Sequence, residues 1–214
     1  MKIGVFGTGM VGNAIATKLV QVGHDVRMGS RSAGNEKAVA WVKTAGARAS
    51  EGTFADAAAF GELLFNCTSG DASLAALQAA GKGNLGSKIL IDVSNPLAHT
   101  PAGMALSVCN TDSLAEQLQR AFPDLKVVKA LNTLTAPLMV NPSLLKGEHD
   151  VFVSSNDDGA KARVSQLLKE SFGWKNVVDL GDLSAARGQE MYVIFWARMF
   201  GALKSPMFNI HVVR

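Results

Sequence analysis

The sequence predicts an α/β fold: a doubly wound, mostly parallel sheet with a C-terminal helical extension. Short apolar runs of β type alternate with helical patterns along most of the chain, as in consecutive βαβ units. The first run passes through a glycine-rich turn directly into a helical pattern. The last long helical pattern, at residues 185–203, is apolar almost all round, which is typical of a buried or interface helix.

The elements follow in order from apolar periodicity and from caps. Strands are predicted where short apolar runs occur, at residues 2–6, 24–28, 63–65, 88–93, 126–130, 150–154 and 176–180. Helices are predicted where apolar residues recur at helical spacing, at residues 10–22, 33–45, 72–80, 159–172 and 185–203. Two capping boxes, Thr53 with Asp56 and Ser113 with Glu116, open two more helices, the second ending at Ala121.

Composition limits the classes of function. The 214 residues are 48% apolar and 18% charged, with a net charge of +3, so we expect one domain over residues 1–214, with 185–214 as its C-terminal segment. Scattered cations argue against nucleic-acid or membrane-surface partners. The apolar run at 191–203 is interrupted by Arg198 and is shorter than the roughly 20 residues that span a bilayer. The N-terminus lacks a signal-peptide pattern.

The cysteines and the glycine turn refine this prediction. Cys67 and Cys109 have neither CxxC nor metal-ligand spacing, so a reduced, cytoplasmic protein without a metal site is expected. The first strand runs into a GxGxxG turn, in which the first glycine permits the turn, the second admits a pyrophosphate and the third permits close helix packing. The alternative is a merely structural turn. The predicted contacts are Gly7, Thr8, Gly9, Met10, Val11 and Gly12.

The end of the second predicted strand lacks an acid. An NAD-binding turn is followed about 20 residues later by a carboxylate on the ribose, but Asp25 opens this strand, and Gly29, Ser30 and Arg31 close it. A hydroxyl and a guanidinium there would bind the 2′-phosphate of NADP, which a carboxylate would repel. We therefore predict NADP, held by Ser30 and Arg31 with help from Asn35 or Lys37. The alternative is a solvated loop.

Three loops leave the carboxyl ends of later strands, where ligands bind in such sheets. Their small polar groups suit a carboxamide and a ribose, although each also fits ordinary turn or cap chemistry. The predicted contacts are Thr68, Ser69, Asn95, Pro96 and Asn132. None of the four histidines has a partner at a spacing that would indicate a catalytic role; they are His24, His99, His149 and His211. No catalytic residue is predicted, which fits hydride transfer between two bound redox rings.

The stretches GTGMVG, GSRS, TFADAAAFGELLFNCT, DVSNP and VVKALNT resemble the NADP oxidoreductases that depend on the deazaflavin coenzyme F420. They also resemble the cytosolic reductase domain of the six-transmembrane ferric reductases. The resemblance implies a Rossmann-type fold, NADP on residues 8–11 with Ser30 and Arg31, and a homodimer that passes a hydride between nicotinamide and a second flat ring. It also implies that Ala130 and the Asn95 loop edge the nicotinamide.

The loops beside the second ring depart from the family pattern. Asn132 stands where family enzymes have a histidine, and Thr68 and Ser69 replace a Thr-Ile-Pro-type loop. The acceptor therefore stays open between a deazaflavin, a flavin, a ferric chelate and an unknown acceptor. Two other functions stay open: a small carbonyl or imine reductase of the 6-phosphogluconate dehydrogenase-like superfamily, and a non-catalytic NADPH sensor. The C-terminal side chains pack in the core, line an acceptor slot or form a dimer face: Tyr192, Trp196, Phe200, Met207 and Phe208.

Overall fold

The computed structural model describes residues 1–101 and 103–213, without the side chain of His99. Within them, the strands are β1 (Lys2–Phe6), β2 (Asp25–Ser30), β3 (Ala49–Thr53), β4 (Leu63–Asn66), β5 (Ile89–Asp92), β6 (Leu97–Thr100), β7 (Gly103–Leu106), β8 (Lys126–Ala130), β9 (Asp150–Ser155) and β10 (Asn176–Asp179). The helices are α1 (Met10–Gln21), α2 (Glu36–Ala45), α3 (Phe54–Phe60), α4 (Gly70–Ala80), α5 (Lys82–Leu85), α6 (Leu114–Ala121), α7 (Ala136–Val140), α8 (Asp158–Leu167) and α9 (Ala186–Leu203).

The central sheet has the strand order β10-β9-β8-β5-β4-β1-β2-β3. The six strands from β8 to β3 are parallel, whereas β9 is antiparallel to β8 and parallel to β10. The predicted doubly wound, mostly parallel α/β fold is therefore confirmed. Strand order reverses between β1 and β4, and the carboxyl ends of these two strands form the switch point at which such folds bind ligands.

Apolar side chains cover both faces of the sheet. Ile3 and Val5 of β1 belong to one core cluster, which also contains side chains of α1, α2 and α8. Phe6 points to a second cluster with side chains of α3, α4 and α6. Alternate strand residues face opposite sides of a sheet, so helices on both faces keep the strands buried. This burial holds the carboxyl ends of the strands in fixed positions.

Some predicted boundaries move. Helix α2 begins at Glu36 rather than at residue 33, because Gly34 adopts a φ of +74° and the Asn35 side chain caps the helix. The capping box of Thr53 and Asp56 is confirmed. Only one of the two hydrogen bonds of the second predicted box is formed. Ser113 Oγ accepts from the Glu116 N–H, but the Glu116 carboxylate accepts from Ser113 Oγ and Arg187 instead of from the Ser113 N–H.

Five elements were not predicted, among them the four-residue helix α5. Strand β3 has the weakly β-forming sequence ASEGT and forms only because it adds to the edge of the sheet. The β6–β7 hairpin follows Pro96, and α7 is a helix of five residues. Nowhere in the described ranges does a helix have the length and apolar character needed to cross a membrane.

Candidate cofactor-binding and hydride-transfer site

The glycine turn joins β1 to α1 at the switch point of the sheet. Gly7 has a φ of +112°, and a Cβ there would lie 2.6 Å from the carbonyl oxygen of Cys67. A Cβ on Gly12 would collide with the carbonyl oxygen of Gly7. These two glycines are therefore required by the fold itself, for a tight turn and for close packing of helix on strand.

Gly9 differs, because a Cβ there would meet no atom within 4 Å. It is the N-cap of α1, where no side chain caps the helix and no acid stands in the first turn. The first N–H groups of a helix have no intrahelical partner, and the helix dipole makes that end electropositive. The open space at Gly9 therefore fits a pyrophosphate, to which the backbone can come close because no side chain intervenes.

Ser30 and Arg31 lie at the carboxyl end of β2, as expected. Ser30 is buried, and its hydroxyl donates to the carbonyl oxygen of Ser32 at 2.6 Å. To bind a phosphate, this hydroxyl has to turn its hydrogen away from Ser32. Arg31 is exposed, and none of the ion pairs in the described ranges involves it. Its guanidinium is thus available to an anionic ligand.

An acid does reach this turn, from the neighbouring strand. Glu51 of β3 accepts hydrogen bonds from the Gly34 N–H at 3.1 and 3.2 Å. Its carboxylate therefore holds the turn between β2 and α2 that carries Arg31. The sequence analysis missed Glu51 because it follows Gly34 by 17 residues. Only the pairing of Glu51 with Met28 brings it alongside.

Asn35 and Lys37 lie close to the same turn. The Asn35 Oδ1 accepts from the N–H groups of Lys37 and Ala38 at 3.1 and 3.3 Å, so its side chain is primarily a helix cap. Lys37 lines a groove that runs past the glycine turn. The other lining residues include Thr8, Gly9, Met10, Asn13, Trp41, Ala136 and Pro137. Met10, at 76% exposure, leaves a large apolar side chain open beside this groove.

The structure brings the three polar loops together. Thr68 Oγ1 donates to Asn66 Oδ1 at 2.7 Å, and Ser69 is the N-cap of α4. A Cβ on Gly70 would collide with the carbonyl oxygen of Asn95, so α4 packs tightly against the loop after β5. Pro96 begins the approach to the β6–β7 hairpin, accepting from the Ser107 N–H at 2.8 Å.

Asn95 and Asn132 join the loops after β5 and β8. Asn95 Nδ2 donates to the backbone oxygen of Asn132, and Asn132 Nδ2 donates to Asn95 Oδ1, each at 2.9 Å. Asn132 Nδ2 also donates to the carbonyl oxygen of Gln189, at 2.8 Å. Ala130, at the end of β8, is fully buried, and Leu131 has a φ of +65°. A leucine in this conformation is strained by about 1–2 kcal/mol, so the loop is held by its contacts.

Beneath these loops lies a buried charged cluster that the sequence analysis missed. We call Asp92, Lys129 and Glu190 the Lys129 trio. Lys129 Nζ lies 2.8 Å from Asp92 Oδ2 and 2.8 Å from Glu190 Oε1, and all three side chains are at most 1% exposed. The ammonium also donates to the carbonyl oxygen of Ser94 at 2.5 Å.

The contacts of the trio indicate its charge state. Burial lowers the pKa of Lys129, but the two carboxylates outweigh that effect, so its pKa is raised and it is an ammonium. Burial raises the pKa of Glu190, while Lys129 opposes that rise. The Glu190 carboxylate also accepts from the N–H groups of Leu114 and Ala115. Every partner of Glu190 is thus a donor, the pattern of an ionised carboxylate.

Two sequence signals could have revealed the trio. A lysine stands inside the apolar strand KVVKA, and a Gln-Glu pair stands inside the apolar helix α9. Charged residues are almost never fully buried unless they are paired. The partners, however, are 37 and 61 residues from Lys129 in sequence. Without the fold, nothing indicates which carboxylates they are.

The described histidines lie away from these loops. His24 contacts the N-terminus and Ser171, and His149 contacts the Pro142 carbonyl oxygen and Asn209. His211 contacts Asp150. The side chain of His99 lies outside the described residues. In the part of the chain that the structure describes, no group of His, Cys, Asp and Glu side chains could hold a metal ion.

Helix α9 is buried in its first half and exposed in its second. Its buried residues are Ala186, Gln189, Glu190 and Val193. Further along, Trp196 stacks against Phe200 and Phe208, with ring centroids 5.6 Å apart in each pair. Phe195, Phe200 and Leu203 are 53%, 43% and 51% exposed. None of the five side chains considered for core packing is fully buried: Tyr192, Trp196 and Phe208 are half-buried, and Phe200 and Met207 are exposed. The second half of α9 thus presents an apolar surface.

Comparisons with known proteins agree with this geometry. A family model described as NADP oxidoreductase, coenzyme F420-dependent, matches residues 2–96. A protein of Arthrobacter sp. FB24, assigned as an F420-dependent NADP reductase, is 47% identical to this chain. Its crystal structure matches with a TM-score of 0.95, covering 100% of both chains.

Two further relatives are more distant. Metalloreductase STEAP3 of Rattus norvegicus is 32% identical over 193 residues, which cover 88% of this chain and 36% of STEAP3. The chain thus spans about a third of the length of that curated relative. An imine reductase of Streptomyces aurantiacus matches with a TM-score of 0.65 at 20% identity, covering 94% of this chain and 64% of the reductase. That likeness is one of fold alone.

Proposed function

The chain belongs to the family of coenzyme F420-dependent NADP oxidoreductases, and on that premise we propose that it transfers a hydride between NADPH and a planar redox ring. Members of this family are NADP-dependent oxidoreductases, so this chain is an NADP-dependent reductase. The ring is a deazaflavin or a flavin. The observation that carries the proposal is the open space at Gly9, at the uncapped N-terminus of α1 and at the switch point of the sheet.

We call the open space at Gly9, at the N-terminus of α1, the cradle. The groups around it support the following arrangement of NADP. Its pyrophosphate lies on the first turn of α1, and its 2′-phosphate on Ser30 and Arg31. The nicotinamide half lies along the loops after β4, β5 and β8, contacting Thr68, Ser69, Asn95, Pro96, Ala130 and Asn132. When bound, the nicotinamide supplies the hydride, and the chain orients it.

The loops favour hydride transfer to a ring over chemistry that needs a proton donor. Their side chains are hydroxyls and carboxamides, and the charged groups beneath them are buried in the Lys129 trio. Transfer between two held rings depends mainly on distance and orientation. Reduction of a carbonyl or imine also needs a positioned proton donor. The imine reductases share the fold with this chain but no more than that.

The acceptor and the assembly are further parts of the proposal. The exposed second half of α9 supplies the apolar surface for a planar acceptor or for a second copy of the chain. An apolar area of this kind on a small protein marks an interaction site. We infer a homodimer in which α9 lies at or near the interface, and a cytoplasmic location without nucleic-acid or membrane partners.

An acceptor panel tests the proposed function. Anaerobic oxidation of NADPH is followed with coenzyme F420, FMN, FAD, ferric citrate and a cyclic imine as acceptors. We expect turnover with F420 or a flavin at a rate well above that with the imine. Turnover with the imine alone would establish the second enzymatic candidate. Tight NADPH binding with no acceptor reduced would indicate a sensor.

A cradle variant links any activity to the site. In Gly9→Val, the side chain fills the space meant for the pyrophosphate, so NADPH oxidation is lost in a protein that still folds. The matched control is Gly83→Val, because Gly83 is exposed in α5 and a Cβ there also meets no atom within 4 Å. Equal activity in both variants would contradict the cradle.

A further inference from the structure

We propose that Glu190 is a positioning residue for the nicotinamide half of the cofactor, acting through Lys129 on the Ser94–Asn95 peptide. The proposal rests on the proposed function, since it needs NADP in the cleft. It assigns a role to a charged pair that lies outside the glycine turn and outside the 2′-phosphate clamp. Glu190 touches no ligand itself.

The chain of contacts is continuous. Glu190 Oε1 lies 2.8 Å from Lys129 Nζ, and the same ammonium donates to the Ser94 carbonyl oxygen at 2.5 Å. That carbonyl belongs to the peptide that leads into Asn95, whose side chain is bonded in both directions to Asn132. Glu190 thus fixes an ammonium that in turn fixes the loop after β5.

Every N–H donor of the Lys129 ammonium is engaged in this arrangement. Lys129 has three N–H donors, and its three acceptors are Asp92, Glu190 and the Ser94 carbonyl oxygen. Asp92 in turn accepts from Ser94 Oγ at 2.6 Å and from Asn66 Nδ2 at 2.8 Å. If Glu190 loses its charge, the ammonium is drawn to Asp92 alone and its direction toward Ser94 is no longer set.

Stability alone is a poor reason for such a cluster. Removing charges from water costs several kcal/mol per ion, and apolar replacements of buried ion pairs are often neutral or stabilising. A buried ammonium does, however, fix a carbonyl more rigidly than packing does, because its hydrogen bonds are directional and charge-assisted. The loop that it fixes is the one predicted to edge the nicotinamide.

A second contact joins the same two helices and serves as a control. Arg187 of α9 donates to both carboxylate oxygens of Glu116 of α6, at 2.9 and 2.6 Å. Glu190 also binds α6, through the N–H groups of Leu114 and Ala115. Both glutamates therefore dock α9 on α6, but of the two only Glu190 contacts Lys129 among the described residues.

The test compares Glu190→Gln with Glu116→Gln. Calorimetry gives the Kd of NADPH and that of adenosine 2′,5′-bisphosphate, which carries the 2′-phosphate but no nicotinamide. We expect Glu190→Gln to raise the ratio of the NADPH Kd to the bisphosphate Kd about tenfold, the loss of one hydrogen bond to a charged group. Glu116→Gln leaves that ratio within about twofold of the wild type.

The outcomes separate the inference from the proposed function. An unchanged ratio in a folded Glu190→Gln, or an equal rise in both variants, overturns the positioning role while leaving NADP binding intact. If the wild type binds neither ligand, the proposed function fails and the inference with it. Should Glu190→Gln not fold, the double variant Asp92→Asn/Lys129→Met removes one charge of each sign and leaves Glu190 on α6. It must show the same rise, and an unchanged ratio overturns the role.

Discussion

Ser30 and Arg31 stand where an NAD-binding protein of this fold carries a ribose-binding acid. The carboxylate that does reach the turn, Glu51, is engaged by the Gly34 N–H, and Asp25 lies at the opposite end of β2, where it pairs with Arg48. The exposed guanidinium of Arg31 is therefore the group that we expect to distinguish the phosphorylated from the plain dinucleotide.

Arg31→Asp tests this choice. Loss of a charge-assisted bond, worth roughly 1.5–3 kcal/mol, and added repulsion should raise the Kd of NADPH by a factor of about ten to one hundred and fifty. The Kd of NADH should stay the same or fall. Fluorescence titration measures both. Lys43→Asp makes the same charge change at the exposed end of α2 and should alter neither; equal losses for both cofactors in Arg31→Asp would contradict the clamp.

At the residue scale, the sequence predicted only groupings of residues that are close to one another in the chain. The glycine turn and the residues closing β2 could be placed because neighbours in sequence are neighbours in space there. The Lys129 trio could not, because its members come from β5, β8 and α9. Glu51 was missed for the same reason, since a strand pairing brings it to Gly34.

At the scale of elements, α9 shows how far periodicity reaches. Its apolar residues predicted a buried or interface helix. The helix is buried around Val193 and exposed around Phe200 and Leu203, so an interface at its second half stays a prediction. Periodicity cannot tell where along a helix its packing partner ends. The elements that escaped prediction are short: β3, α5, α7 and the β6–β7 hairpin. Tertiary contacts rather than local propensity determine them.

The exposed half of α9 predicts an assembly. A charge introduced into an apolar interface is costly unless it is paired, so Leu203→Glu should shift the protein from dimer to monomer at micromolar concentration. Sedimentation velocity measures the change. Leu144→Glu is the matched control, because Leu144 is similarly exposed, at 49%, and lies in the 3₁₀-helix after α7. This interface would be contradicted if Leu203→Glu stayed a dimer, or if the wild type itself sedimented as a monomer at the same concentration.

At the scale of the whole molecule, the order of strands in the sheet determines which loops form the candidate site. The switch point between β1 and β4 gathers the glycine turn, and the loops after β4, β5 and β8 lie along the same edge. Strands β9 and β10, which are parallel to each other and antiparallel to the other six, extend the sheet beyond β8. Helix α9 then packs against α6 and places Glu190 beside Lys129 of β8, beneath the loops.

The central claim is direct hydride transfer from NADPH to a planar ring, and one measurement tests it most directly. NADPH deuterated at C4 of the nicotinamide, in each of the two configurations, is oxidised anaerobically with coenzyme F420, and the product is analysed by mass spectrometry. The account predicts that one configuration delivers its deuterium to the carbon at the centre of the deazaflavin. Reduction of the deazaflavin without deuterium from either form would contradict it, and so would the absence of reduction of coenzyme F420, FMN and FAD alike.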